Sequence, residues 1–163
     1  MNTQPLPKVA IAIEDPDQPE IRALLEEADR YYAGLYAAED NFLIDVASLQ
    51  EPGVAFFVAR AGGTLLGFGA VAARGRDEAG HEWAELKRMY VAPAARGRRI
   101  GRLILDRLIE HADAASIAVL RLETGEKQLE ALSLYRSVGF RHRPAFAEYP
   151  ENGVSVFLEL RLG

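Results

Sequence analysis

The chain has no cysteine, which removes disulfides, thiolate metal sites and a cysteine nucleophile together. No apolar run approaches the roughly 20 residues that cross a bilayer, and no membrane partner is expected. The opening, residues 1–8, is polar and carries proline, without a charged start leading into an apolar stretch. A secretory signal is therefore not expected, and a cytoplasmic protein is. Histidine is scarce: His81, His111 and His142 stand apart in sequence, so no metal site is anticipated. The phosphate signature Gly-x-x-x-x-Gly-Lys-Ser/Thr is missing, as are Gly-x-Gly-x-x-Gly after the first strand and the Gly-x-Ser-x-Gly elbow. Basic excess is missing too. The 19 Lys and Arg face 24 Asp and Glu, a net charge of −5, which argues against general nucleic-acid binding. With 163 residues and no repeat, low-complexity tract or linker, a single domain over 1–163 is expected.

Against this acidic background, one basic stretch stands out. From Glu85 to Leu105 the chain passes from an apolar strand, through a Pro/Ala/Gly turn carrying Arg96, Arg98, Arg99 and Arg102, into an amphipathic helix. A helix start holds unpaired N–H groups and the positive end of the macrodipole, where extra cations are unfavourable unless an anion joins them. Glycines there let the backbone close around phosphate oxygens. The stretch reads as a pyrophosphate site.

Hydrophobic periodicity places the rest. Val9 to Ile13 suits a buried strand. Asp17 and Glu20 have capping-box spacing with Pro19 in the first helical turn, and Ile21, Leu24, Leu25, Ala28 and Tyr32 recur at helical spacing. Gly34 is expected to end or bend that helix, and Leu35 to Leu49 to be a second, less regular helical or loop segment. Val54 to Ala61 and Thr64 to Ala73 flank Gly62-Gly63, a hairpin signal, and Trp83 to Val91 is the next strand. Ile100, Leu103, Ile104, Leu108, Ile109 and Ala112 form a helical stripe. Ala118 to Glu123 is a strand and Gln128 to Val138 a helix, with Gly139 placed as its C-cap. Phe140 to Arg143 and Ser155 to Leu162 close the chain as strands. The order, β-α-α-β-β-β-α-β-α-β-β, describes an α+β fold with a mixed sheet.

Arg96-Gly97-Arg98-Arg99-Ile100-Gly101 resembles the Gln/Arg-x-x-Gly-x-Gly/Ala acyl-coenzyme A signature of the GCN5-related N-acetyltransferase (GNAT) superfamily. Met89-Tyr90-Val91-x-Pro93 before it, and Leu134-Tyr135-x-x-x-Gly139-Phe140 after it, fit the same family in the same order. The likeness runs from about Val9 onward. The ending, from Leu122-Glu123-Thr124-Gly125 to Tyr149-Pro150 and Ser155-Val156-Phe157, is similar to a bacterial subgroup acting on small substrates. The resemblance implies a mostly antiparallel central sheet flanked by helices. It also implies an enzyme that moves the acetyl group of acetyl-CoA to a primary amine, expected on a small molecule, by direct attack on the thioester. An acyl-CoA sensor or an inactive relative is the alternative; a nucleotide-binding domain is a weaker one. Homodimers are frequent among similar proteins.

By that resemblance, the amides of Arg96, Gly97, Arg98, Arg99, Ile100, Gly101 and Arg102 would hold the pyrophosphate, and Arg96, Arg98 and Arg102 would add side-chain charge. Met89 and Val91, flanking Tyr90, would pair through their backbone with the pantetheine arm. Arg99 stands where a glycine is usual, which is harmless in a right-handed helical residue and costly at positive φ. The asparagine many relatives place near the pantetheine is absent, with Thr124 or Gln128 as the substitutes. Glu85 alternates with Lys87, Met89 and Val91 along the strand, which predicts one shared face. By the resemblance it matches a family base, its pKa expected to rise on burial; the alternative is a strand glutamate paired with an arginine, with Glu123 or a water chain as base. Tyr135 would donate to the leaving thiolate, or else be a core tyrosine, and Val91 N–H would serve as oxyanion donor. Tyr32, Tyr36, Asn41 and Phe42 would form one wall of the acceptor cleft and Tyr149 the other.

Overall fold

The structure is a computed structural model that describes residues 7–42 and 44–163; the reading of the first six residues falls outside them. In chain order the elements are β1 (Val9–Ile13), α1 (Pro19–Leu35), a 3-10 turn (Ala38–Asp40), α2 (Val46–Leu49), β2 (Val54–Ala61), β3 (Thr64–Arg76) and β4 (Glu82–Val91). A second 3-10 turn (Pro93–Ala95) leads to α3 (Ile100–Ala114), β5 (Val119–Gly125), α4 (Leu129–Ser137), β6 (Arg141–His142) and β7 (Ser155–Arg161). The α+β order matches the expectation from periodicity. Among the described residues, the seven strands form one sheet in the order β1-β2-β3-β4-β5-β7-β6, and only β4 and β5 pair in parallel.

Helices cover both faces, which is why the central strands are buried along most of their length. The two-residue period of β2 sends Phe57 and Ala59 to the α3 face, with Ile104, Leu105 and Leu108. It sends Phe56 and Val58 to the α1 face, with Ile21, Leu24, Leu25 and Ala28. A third cluster at the far side joins Trp83, Val119, Phe146 and Phe157 beneath the loop between β6 and β7.

Two local expectations change. Asp17 does not cap α1. The N-cap is Gln18, which makes no side-chain cap bond, with Pro19 opening the helix. Asp17 instead takes Arg22 Nε at 2.6 Å, and Glu20 pairs outward with Arg60 at 2.7 Å. Asp17 lies one position too early for the cap, because Asp15 accepts its N–H and tightens the preceding turn. Between α1 and β2, the second helical segment shrinks to the 3-10 turn and the single turn α2, whose start Asp45 caps by accepting the Ser48 N–H at 2.8 Å. Gly34 lies within α1, which runs one residue beyond it.

Leu108 is fully buried at the seam between α3 and the sheet. Leu108→Ala should lower unfolding stability by about 2–5 kcal/mol, read as the urea midpoint at unchanged m-value.

Candidate active site

The site originates in a break between two strands. Parallel pairing of β4 with β5 covers only Trp83, Ala84 and Glu85 against Val119, Leu120 and Arg121. Past Glu85 the two strands diverge, and a cleft of about 710 Å³ opens between Leu86–Val91 and Leu122–Gly125, closed by α1, the α3 start and α4. A bulge sharpens the divergence: Ala70 faces Lys87 and Phe68 faces Tyr90, so two residues of β4, Arg88 and Met89, oppose Gly69 alone. Arg88 takes the left-handed conformation there (φ 60°). Its guanidinium turns under α1 to Asp29 at 2.7 Å and to the Leu25 carbonyl.

The bulge corrects one expectation about side chains. Glu85, Lys87, Met89 and Val91 do not share a face. Met89 and Val91 pack with the α3 cluster, whereas Lys87 reaches the opposite side, where Nζ bonds the Phe42 carbonyl. The backbone parity still suits an extended ligand. Ala92 N–H donates to Leu66 on β3, so by alternation the groups of Met89 and Val91 face away from β3, into the cleft. Accordingly, Met89 O accepts the Tyr32 hydroxyl (3.2 Å) and Val91 O accepts Arg96 Nε (3.2 Å).

At one end of the cleft lies the arginine turn. Among the described residues, the N–H groups of Gly97, Arg98, Arg99, Ile100, Gly101 and Arg102 have no protein acceptor, whereas the Arg96 N–H, expected to join them, donates to the Pro93 carbonyl at 3.3 Å and closes the 3-10 turn. The backbone is bent into that array by positive φ at Gly97 (80°) and at Arg99 (60°, ψ 24°). Alternating turn conformations that point successive amides inward make an anion-binding concavity. Arg99 is thus in the strained alternative, where an L-residue costs about 1–2 kcal/mol. Arg96 lies over the rings of Tyr31 (5.8 Å) and Tyr90 (5.4 Å) at the cleft wall. Arg102 borders the cleft while holding Asp106 at 2.9 Å. Arg98 does not border the cleft, whereas Arg99 does.

In the middle, Tyr135 projects from α4 into the cleft, 6 % exposed, edge-on to Phe140. Its hydroxyl bonds no described residue, and burial drives its pKa up. It therefore keeps its proton and is available as a donor. Thr124 and Gln128 border the same region. Tyr36 crosses from the end of α1 and accepts the Lys127 N–H at 3.0 Å. It fits only because residue 125 is glycine: a Cβ there would overlap the Tyr36 hydroxyl and ring.

The far end carries the charges. Glu123 and Lys87 both line the cleft. Ser155 Oγ donates to Glu123 at 2.8 Å, yet burial dominates and raises the Glu123 pKa. Lys87 Nζ donates to the Phe42 carbonyl (2.9 Å) and the Tyr149 hydroxyl (2.7 Å); burial lowers its pKa, opposed chiefly by Glu85. Glu85 is buried behind them. It accepts Arg74 at 3.0 Å and the Tyr149 hydroxyl, and does not border the cleft. Tyr149 likewise lies behind the wall, packed against Phe42, Phe146 and Phe157. Asn41 and Phe42 do border the cleft. Among the described residues, no cluster of His, Asp or Glu has the arrangement of a metal site, and no helix is long and apolar enough to cross a membrane.

Residues 20–140 match the family model described as Acetyltransferase (GNAT) family. The chain is also 44% identical over 154 residues to an IAA acetyltransferase of Azospirillum brasilense, spanning 94% of this chain and 98% of the relative. It belongs to the GNAT acetyltransferase family. A candidate acyl-CoA N-acyltransferase from Klebsiella pneumoniae superposes with a TM-score of 0.77 at 31% identity, covering 95% of this chain and 98% of that one. A Bacillus subtilis acetyltransferase in complex with CoA shares the fold, with a TM-score of 0.69, 22% identity and coverage of 95% and 99%.

As a GNAT acetyltransferase, the protein is an acetyl-CoA-dependent acyltransferase, and the cleft fits that donor. The six unclaimed amides suit a diphosphate, and the exposed backbone of Met89 and Val91 suits an amide-bearing arm. Sequence reasoning gathered most of these residues but missed Lys87, whose signal was its place two residues from Glu85 on the same strand. It also missed Arg88, because a bulge leaves no mark in hydrophobic period. If the positive φ of Arg99 is strain, Arg99→Gly should raise unfolding stability by about 0.5–1 kcal/mol, net of the added unfolded-state entropy. Urea denaturation of the free protein checks this.

Proposed function

We propose that the chain, acting as one domain, transfers the acetyl group of acetyl-CoA to a primary amine on a small molecule. The observation that carries this reading is the placement of Tyr135 and Glu123 in one cleft with the free amides of the arginine turn. The name of the Azospirillum relative also favours a small acceptor. Acetyl-CoA supplies the activated acyl group as a thioester; the protein's residues supply position, polarity and a path for one proton.

The turn from Gly97 to Arg102 anchors the donor by its diphosphate, and β4 aligns the arm. The Val91 N–H, aimed into the cleft, is placed to polarise the acyl oxygen. Tyr135 stabilises negative charge on the departing sulfur by donating a hydrogen bond. With its pKa pushed up by burial, it does so while keeping its proton. The attacking amine must shed one proton. Glu123, in the cleft and with a raised pKa, is the acceptor best placed for it. Glu85 stands one layer back, occupied by Arg74 and Tyr149, and its role is to orient Lys87 and Tyr149.

Tyr135→Phe should lower kcat about tenfold to a hundredfold, the loss of a hydrogen bond to a charged atom, with CoA affinity by calorimetry nearly unchanged; unaltered turnover would remove Tyr135 from the chemistry. Glu123 must be ionised to accept the proton, and its pKa lies above the ordinary 4.5. The kcat/KM of the wild type should therefore fall on an acid limb above pH 4.5. In Glu123→Gln the limb attributable to Glu123 should be absent and the plateau lower; a limb that persists unshifted assigns the base elsewhere.

A further inference from the structure

Two opposite charges face the acceptor end of the cleft without neutralising each other. Lys87 and Glu123 both border it, and no ion-pair contact joins them; the ammonium's ion partner is Glu85, at 3.6 Å. Glu85 itself is claimed at 3.0 Å by Arg74 and by the Tyr149 hydroxyl. Among the described residues, Glu123 has only the neutral Ser155 hydroxyl as a side-chain partner. Glu123 thus has no cation at ion-pair distance among the described residues, and Lys87 shares its one carboxylate neighbour with Arg74, a largely buried arrangement that a ligand bearing both charges would complete.

Lys87 is built to point. An ammonium has three donors. One goes to the Phe42 carbonyl and one to Tyr149, whose own proton is directed at Glu85, so the Tyr149 oxygen can only accept from Lys87. The third donor has no partner within hydrogen-bond distance among the described residues. Other nearby cations are committed elsewhere: Lys127 to the Leu35 carbonyl, Arg88 to Asp29 under α1, Arg74 to Glu85.

We propose that the acceptor is a zwitterion, a compound carrying a carboxylate beside its primary amine as an α-amino acid does, with Lys87 binding the carboxylate and Glu123 facing the ammonium. The proposal rests on the acetyl-transfer reading of the same cleft. A plain amine would leave the third Lys87 donor unused and add a second cation near it; a zwitterion offers that donor a carboxylate and Glu123 an ammonium. Burial draws the Lys87 pKa down, against the pull of Glu85 and Glu123, and the Glu123 pKa up, against Ser155 and Lys87. Lys87 then sets specificity, and Glu85, Arg74 and Tyr149 hold it in place.

The test uses protein saturated with CoA, titrated calorimetrically with common α-amino acids, their α-carboxamides and the matching decarboxylated amines. At least one acid should bind about tenfold or more tightly than its carboxamide, as expected for one hydrogen bond to a charged group, and Lys87→Met should bring that ratio near one. A wild type in which no acid outbinds its carboxamide overturns the proposal, whatever Lys87→Met does to folding. A folded Lys87→Met that keeps the preference also overturns it. Thiol release from acetyl-CoA, followed with the same compounds, separates the two readings. Preferred acid binding without thiol release supports the carboxylate site and counts against acetyl transfer.

Discussion

Everything at the site depends on how soon β4 and β5 part. Neighbouring strands are held about 4.8 Å apart by their shared hydrogen bonds, and a sheet gives up such bonds only where something else satisfies the polar groups. Here three residue pairs join the strands before they diverge. The bulge at Arg88 and Met89 adds local twist, and the Arg88–Asp29 pair ties the displaced backbone to α1. The opened edge of β4 offers backbone groups at the spacing of a strand, which an extended, amide-bearing chain can match. The cleft is therefore an unfinished piece of sheet, and its occupant completes it.

The arginine turn follows the same logic in a different currency of interactions. It puts six amides and several guanidinium groups at the positive end of α3, an arrangement that repels itself in the absence of an anion. Part of that repulsion is relieved internally, by the Tyr31 and Tyr90 faces under Arg96 and by Asp106 beside Arg102. The amides have no such relief. Their shared direction comes from backbone conformation at Gly97 and Arg99, and the conformational cost falls on Arg99.

Much of this was legible in the chain itself. The strand-turn-helix around Arg96 to Arg102, the hairpin at Gly62-Gly63 and the α3 stripe are local patterns, and local patterns survive folding. What escaped was non-local. The period of β4 predicted one face for Glu85, Lys87, Met89 and Val91, but an inserted residue reverses every side chain after it, and Gly69, opposite the bulge, has no Cβ to crowd Met89, Leu108 and Ile104. Asp17 had the spacing of a cap, while Asp15 competed for the turn before it. Glu85 and Tyr149 were read as facing the cleft. Each has the right address in the sheet, but their mutual hydrogen bond and the Arg74 pair draw them behind its wall. Lys87 and Glu123 took the forward positions.

The central claim is that a diphosphate is held by peptide N–H groups while its thioester arm extends β4. Amide chemical-shift changes during titration with CoA test it most directly, since they report backbone groups one by one. The largest changes should fall on Gly97 to Arg102, with a second set at Met89 and Val91. If CoA saturates the protein while those signals stay still, the donor is bound elsewhere and the account is wrong.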